Sequence, residues 1–96
     1  MPFEQITPRP FTPNGIYTYA PAATGVYGLS NAQKWIYIGR ASDIRRALLD
    51  HLQDPAMMEN QPRGFVFEVC DAARCLSRQD RLVLECEPIC NRRAAH

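Results

Sequence analysis

The sequence predicts an α+β domain in which a proline-rich arm is followed by strand, strand, helix, strand and helix. Three observations predict it. Strand formers recur on both sides of a polar turn between Gly25 and Gly39. Apolar residues recur at three- and four-residue spacing after Ser42. Phe65-Val66-Phe67-Glu68-Val69-Cys70 alternates as a strand does, ahead of a second helical stretch.

Five of the eight prolines fall in the first 21 residues. Proline fixes φ and removes a donor, so residues 1–23 read as an extended arm and not a helix. Ile16-Tyr17-Thr18-Tyr19 is a candidate short edge strand within it. A packed N-terminal extension is favoured over a free Pro-rich ligand for aromatic grooves. In the hairpin, Val26, Leu29, Trp35, Ile36, Tyr37 and Ile38 are the strand formers and Ser30 to Lys34 is the turn. Ser42 is the expected N-cap of the first helix, with Asp43 in its first turn. Ile44, Ala47, Leu48, His51 and Leu52 form its apolar stripe, to about Gln53. Arg46 and Asp50 sit one turn apart on its outer face. Pro55 to Gly64 reads as a loop. Ser77, with Asp80 three residues on, is the expected start of the last helix, and Pro88 its end. Residues 92–96 are a polar tail.

Ninety-six residues make one domain, and 46% hydrophobic with 22% charged residues describes a soluble globule. No apolar run approaches the roughly 18 residues of a membrane span. Met1-Pro2-Phe3-Glu4 lacks a basic then apolar signal, which gives a cytoplasmic expectation. Cys70, Cys75, Cys86 and Cys90 are then expected as free thiols, small buried hydrophobes in place of a zinc set. A net charge of +1 argues against a strongly electrostatic, non-specific nucleic-acid binder. It leaves room for a local basic patch, for which Arg40, Arg45, Arg46, Arg74, Arg78 and Arg81 are candidates.

Gly-aromatic punctuation occurs at Gly15-Ile16-Tyr17, Gly25-Val26-Tyr27 and Tyr37-Ile38-Gly39. Nine residues separate Tyr27 from Tyr37, and nineteen separate Tyr17 from Tyr37. Only the shorter connection suits a hairpin, so Gly25-Val26-Tyr27 pairs with Tyr37-Ile38-Gly39 and the first triplet is a decoy. So paired, residues 24–91 resemble the GIY-YIG endonuclease superfamily. The motif continues through Arg40-Ala41, Asp43-Ile44-Arg45, and a helix with Leu48 and His51. It then runs through the strand at 65–70, Leu82-Val83, Pro88 and Asn91.

The resemblance implies a small three-stranded antiparallel sheet flanked by helices, in ββαβα order. It implies hydrolysis of a DNA phosphodiester assisted by Mg²⁺ or Mn²⁺, chemistry that needs positive charge against the phosphate oxygens. Tyr27 and Tyr37 match the tyrosines that handle the attacking water, and Arg45 the phosphate-binding arginine. His51 falls near a position where some members carry histidine. Asn91 matches an asparagine at the edge of the site, and Arg40 and Arg46 are further nucleic-acid contacts. A lone strand tyrosine is usually packing; it is the shared spacing that makes these a candidate site.

At one position the chain departs from the pattern. The resemblance implies a metal-binding glutamate about nine residues before the last proline, and that position is Gln79. Gln79 shares a helical stripe with Leu82, Val83 and Cys86, so it is expected to face the sheet. An amide oxygen is a poor ligand for a hard cation. The expectation is a nucleic-acid-binding, nuclease-like protein with weak or lost hydrolysis. One alternative is an active metal-dependent endonuclease using Asp80, Glu68 or Glu85. Another is a protein-interaction module built on the arm and an exposed Trp35. DNA is the expected partner; a protein partner or a homodimer through an edge strand or Trp35 stays open.

Overall fold

In the computed structural model, which describes residues 8–31 and 34–86, the order is β1 (Arg9–Pro10), α1 (Pro13–Tyr19), β2 (Gly25–Ser30), β3 (Trp35–Ala41), α2 (Ile44–His51), α3 (Pro55–Met58), β4 (Gly64–Val69) and α4 (Ala72–Cys86). The strands form one antiparallel sheet in the order β1-β4-β2-β3. The class is α+β as expected. The two-residue β1 makes the sheet four-stranded where three strands were expected.

The hairpin joins β2 to β3, with Tyr27 opposite Gly39 and Leu29 opposite Tyr37. The pairing then skips Ile36, so that Ser30 faces Trp35. This bulge lets two consecutive residues serve one side of the sheet. Ile36 and Tyr37 both pack with Tyr27, Leu29, Ile44, Leu48 and Phe65, while Trp35 and Ile38 pack with Val26, Val66, Cys75 and Leu82. The sheet is therefore covered twice. Helices α1, α2 and α3 lie on the tyrosine side through Ile16, Ile44, Leu48 and Met57; α4 lies on the other through Cys75 and Leu82.

The proline-rich segment differs from the expectation. Residues 13–19 are helical, because Pro13 sits at the start of α1, where a missing N–H costs nothing. Thr12 caps that helix by accepting from the Gly15 amide at 3.0 Å. The segment is packed: Phe11, Ile16 and Ala20 belong to the core. Gly15, the decoy glycine, has a reason of its own. A β-carbon there would collide with the Pro10 carbonyl, so the glycine lets α1 lie against β1.

Two helix starts also move. Asp43, not Ser42, caps α2, its carboxylate accepting from the Arg46 amide at 3.0 Å. Helix α4 begins at Ala72, well before Ser77, since Asp71, two residues past the end of β4, accepts from the Arg74 amide at 2.9 Å. The loop expected from Pro55 holds the short α3, capped by Asp54. Trp35 is half-buried against the α4-side core and not exposed. Pro88, Asn91 and the polar tail lie outside the described residues. No helix among the described residues is long and apolar enough to cross a membrane.

Candidate active site

Tyr27 comes from the middle of β2, Tyr37 from β3 and His51 from the last turn of α2. Their rings form a triangle, with centroids 6.1 Å apart for the tyrosine pair, 5.6 Å for Tyr27–His51 and 5.2 Å for Tyr37–His51. Gly39 makes the convergence possible. A β-carbon there would lie 2.7 Å from the Tyr27 hydroxyl and 2.6 Å from a Tyr37 ring carbon. The glycine of the third triplet is thus required by the two rings that cross it.

The Tyr27 hydroxyl stands 2.7 Å from His51 Nε2. Burial raises the Tyr27 pKa above its ordinary value, and the neighbouring Tyr37 and Asp50 raise it further. Burial lowers that of His51, with Asp54 and Asp50 opposing in part. Both partners are therefore neutral near pH 7. Either the phenol donates to Nε2, or Nε2–H donates to the phenol, according to the imidazole tautomer.

The structure does not bring Arg45 into this triangle. Six residues along a helix leave it turned about 120° from His51. Its Nε donates to the Ala20 carbonyl at 3.0 Å, and its guanidinium lies 6.0 Å from the Tyr17 ring centroid. It ties α2 to the end of α1. The position one turn before His51 is Ala47, which packs against the tyrosine-side core. Arg46 is exposed beside Asp50 at 3.7 Å. Arg40 is exposed and pairs in register with Val26, on the α4 side. Arg78 forms a two-bond ion pair with Glu68, at 2.7 and 3.0 Å.

Gln79 is half-buried, and its Nε2 donates to the Ile38 carbonyl at 3.3 Å. It thus touches β3 between Tyr37 and Gly39, reaching the strand from α4. Of the carboxylates considered as substitutes, Glu68 is engaged by Arg78 and Asp80 is exposed; the Glu85 side chain lies outside the description. Among the described residues no three His, Cys, Asp or Glu side chains cluster in a way that could hold a metal ion. The described residues do not fit a divalent cation here, because the group at the strand is a neutral amide, whose oxygen is a poor ligand for a hard cation.

His51 is the residue whose weight the sequence understated. Its signal was present in the stripe Ile44, Ala47, Leu48, His51. The roles of Tyr17 and Ala20 beside Arg45 had no signal while the segment read as extended.

No family model and no curated protein matches the sequence. Among solved structures, the chain is similar to the GIY-YIG N-terminal endonuclease domain of UvrC from Thermotoga maritima bound to its catalytic divalent cation, magnesium. The TM-score is 0.64 at 22% identity, over 76% of this chain and 91% of that one. A point mutant of that domain, also bound to the catalytic divalent cation, gives a TM-score of 0.63 at 21% identity, over 76% and 90%. The chain has the GIY-YIG fold. The two tyrosine triplets that the spacing selected lie on hydrogen-bonded neighbours, the inner strand β2 and the edge strand β3, and Gly15-Ile16-Tyr17 lies on a helix outside them.

Proposed function

We propose that this chain is a nucleic-acid-binding protein on a GIY-YIG nuclease scaffold that hydrolyses phosphodiesters weakly or not at all. The observation that carries the reading is the Gln79 amide donating to the Ile38 carbonyl. A carboxylate cannot make that contact, since both groups would be acceptors. The side chain suits a structural hydrogen bond and not the ligation of a hard cation.

The tyrosines support the same reading. A phenol that takes a proton from water near neutral pH needs its pKa lowered by a nearby cation. At Tyr27 burial, Tyr37 and Asp50 push the other way, and Arg45 is committed to Ala20. Tyr27 and His51 can still orient a water or a phosphate oxygen by hydrogen bonding. The relatives of known structure carry a catalytic divalent cation. A chain that acted as they do would need Mg²⁺ or Mn²⁺ held by a carboxylate such as Asp80 or Glu85. DNA is the partner this reading names, with exposed Arg40 and Arg46 as phosphate contacts.

The test combines DNA binding over a salt series with cleavage of plasmid and branched DNA in Mg²⁺ and Mn²⁺. Wild type is compared with Gln79→Glu, Tyr27→Phe and Arg45→Ala. Expected are binding that weakens steeply with salt and little or no wild-type cutting. Robust wild-type cleavage that Tyr27→Phe abolishes would overturn the loss of activity. Absence of DNA binding at low salt would overturn the nucleic-acid reading and favour a protein-interaction module.

A further inference from the structure

Cys70 lies at the junction that follows β4, and Cys75 in the first turn of α4. Their sulfurs stand 2.7 Å apart, and the Cys75 thiol also reaches the Cys70 carbonyl at 3.5 Å. The corner between them is held by its own backbone. Asp71 caps α4 through the Arg74 amide, and the Cys75 amide donates to the Asp71 carbonyl at 3.0 Å. The approach of the two sulfurs is therefore set by the fold.

A shared metal does not explain the distance. Two thiolates on one tetrahedral zinc, at about 2.3 Å each, stand roughly 3.8 Å apart. A disulfide, at about 2.05 Å, requires the pair to close by only about 0.7 Å. Both residues also line cavities. Cys70 lines a cavity of about 600 Å³ together with Glu68, Asp71, Arg74, Arg78 and Arg81. Cys75, itself buried, lines a second cavity of about 380 Å³ with Thr24, Arg40 and Ser42.

We propose that Cys70 and Cys75 are a reversible oxidation site, closing to an intramolecular disulfide by exchange with a small carboxylate-bearing disulfide of the glutathione type. Arg78 is held by Glu68, but the exposed Arg81 and Arg74, the latter only loosely paired with Asp71 at 3.9 Å, suit the carboxylates of such a molecule. The Cys70 sulfur, its proton released to solvent, attacks one sulfur of the small disulfide and expels the other half as a thiolate, which takes up a proton. The Cys75 sulfur then attacks the mixed disulfide at Cys70, releasing its own proton as the second small thiol departs. The protein pair loses two electrons and two protons, and one small disulfide becomes two thiols. Burial, and then the hydrogen bond with Cys75, push the Cys70 thiol up to about 12. Reduced Cys70 is thus protonated near neutral pH and exchanges more slowly than an exposed thiol would. Once closed, the bond fastens β4 to the helix that carries Gln79. The site does not depend on the functional reading above.

The full chain would be equilibrated in glutathione buffers from fully reduced to fully oxidised, quenched in acid, alkylated and mapped by peptide mass. The Cys86→Ser/Cys90→Ser double variant would be treated in parallel, leaving this pair as its only thiols. Expected is a Cys70–Cys75 linkage in both proteins, lighter by two hydrogens, absent in Cys70→Ser, and reversed by dithiothreitol. Hydrogen exchange over residues 71–78 should slow on oxidation. Three results would each overturn the proposal: both thiols still alkylated at full oxidation, a stable glutathione adduct on Cys70, or linkage of either cysteine to Cys86 or Cys90 instead.

Discussion

Replacing Gln79 by glutamate separates two things the amide does. At pH 7 the new carboxylate would face the Ile38 carbonyl oxygen with no proton to offer. The loss of the hydrogen bond at 3.3 Å costs about 1 kcal/mol, and turning a half-buried charge toward an acceptor raises the total to roughly 1–3 kcal/mol. For a domain of this size that corresponds to a fall in Tm on the order of 10 °C. Gln79→Met, of similar volume and uncharged, loses the hydrogen bond alone and should cost about 1 kcal/mol. The difference between the variants therefore isolates the charge. The new carboxyl should have a folded pKa raised above its unfolded value of about 4.3. Its penalty is then full above the raised value and disappears as pH falls below about 4.3, where the protonated acid can donate to Ile38. Urea unfolding of the three proteins at pH 7 and pH 4 reads this directly. If Gln79→Glu and Gln79→Met match wild type at pH 7, and the acid variant recovers nothing at low pH, residue 79 does not face Ile38. The structural reason for an amide at that position would then be gone.

Tyr27→Phe removes the hydroxyl bound to His51 and should cost about 1 kcal/mol in urea unfolding while leaving the fold, read by circular dichroism, unchanged. Because burial lowers the folded pKa of His51 below its unfolded value, the unfolded chain binds the proton first. Stability should therefore fall as pH drops through about 6.5, and His51→Gln should flatten that slope between pH 7 and pH 5. Gly39→Ala forces the Tyr27 and Tyr37 rings off the strand and should cost roughly 1–3 kcal/mol, with shifted ring resonances for both tyrosines.

Much of this was legible in the sequence because the physics is local. The hairpin followed from loop length, and the structure adds the register that sets Tyr27 opposite Gly39. The α2 stripe put His51 on the inner face without any knowledge of its partner. The failures have two causes: local cap signals that were passed over, and one residue whose role depends on chain far away. Pro13 breaks helices in general, yet starts one here because Thr12 precedes it and the missing N–H falls in the first turn. The last helix was expected to start at Ser77, although the capping carboxylate of Asp71, two residues past the strand, starts it at Ala72. Arg45 lies on the helix at the expected place, but its direction is set by the Ala20 carbonyl at the end of a helix the sequence did not predict.

The two halves of the candidate site approach from opposite sides of one sheet, and this shapes what the protein can do. Tyr27, Tyr37 and His51 belong to the side covered by α1 and α2, whereas Gln79 belongs to the helix covering the other. They share one piece of chain, the segment Tyr37-Ile38-Gly39 of β3, at the edge of the sheet. Strand carbonyls lie in the plane of the sheet, so a side chain from α4 reaches the tyrosine segment by contacting the backbone there. An amide makes that contact as a donor and holds α4 against the strand. A carboxylate at the same point would be repelled by the carbonyl, unless a cation between them supplied the opposite charge. Residue 79 therefore chooses between two architectures, one closed by a hydrogen bond and one closed by an ion, and glutamine selects the first.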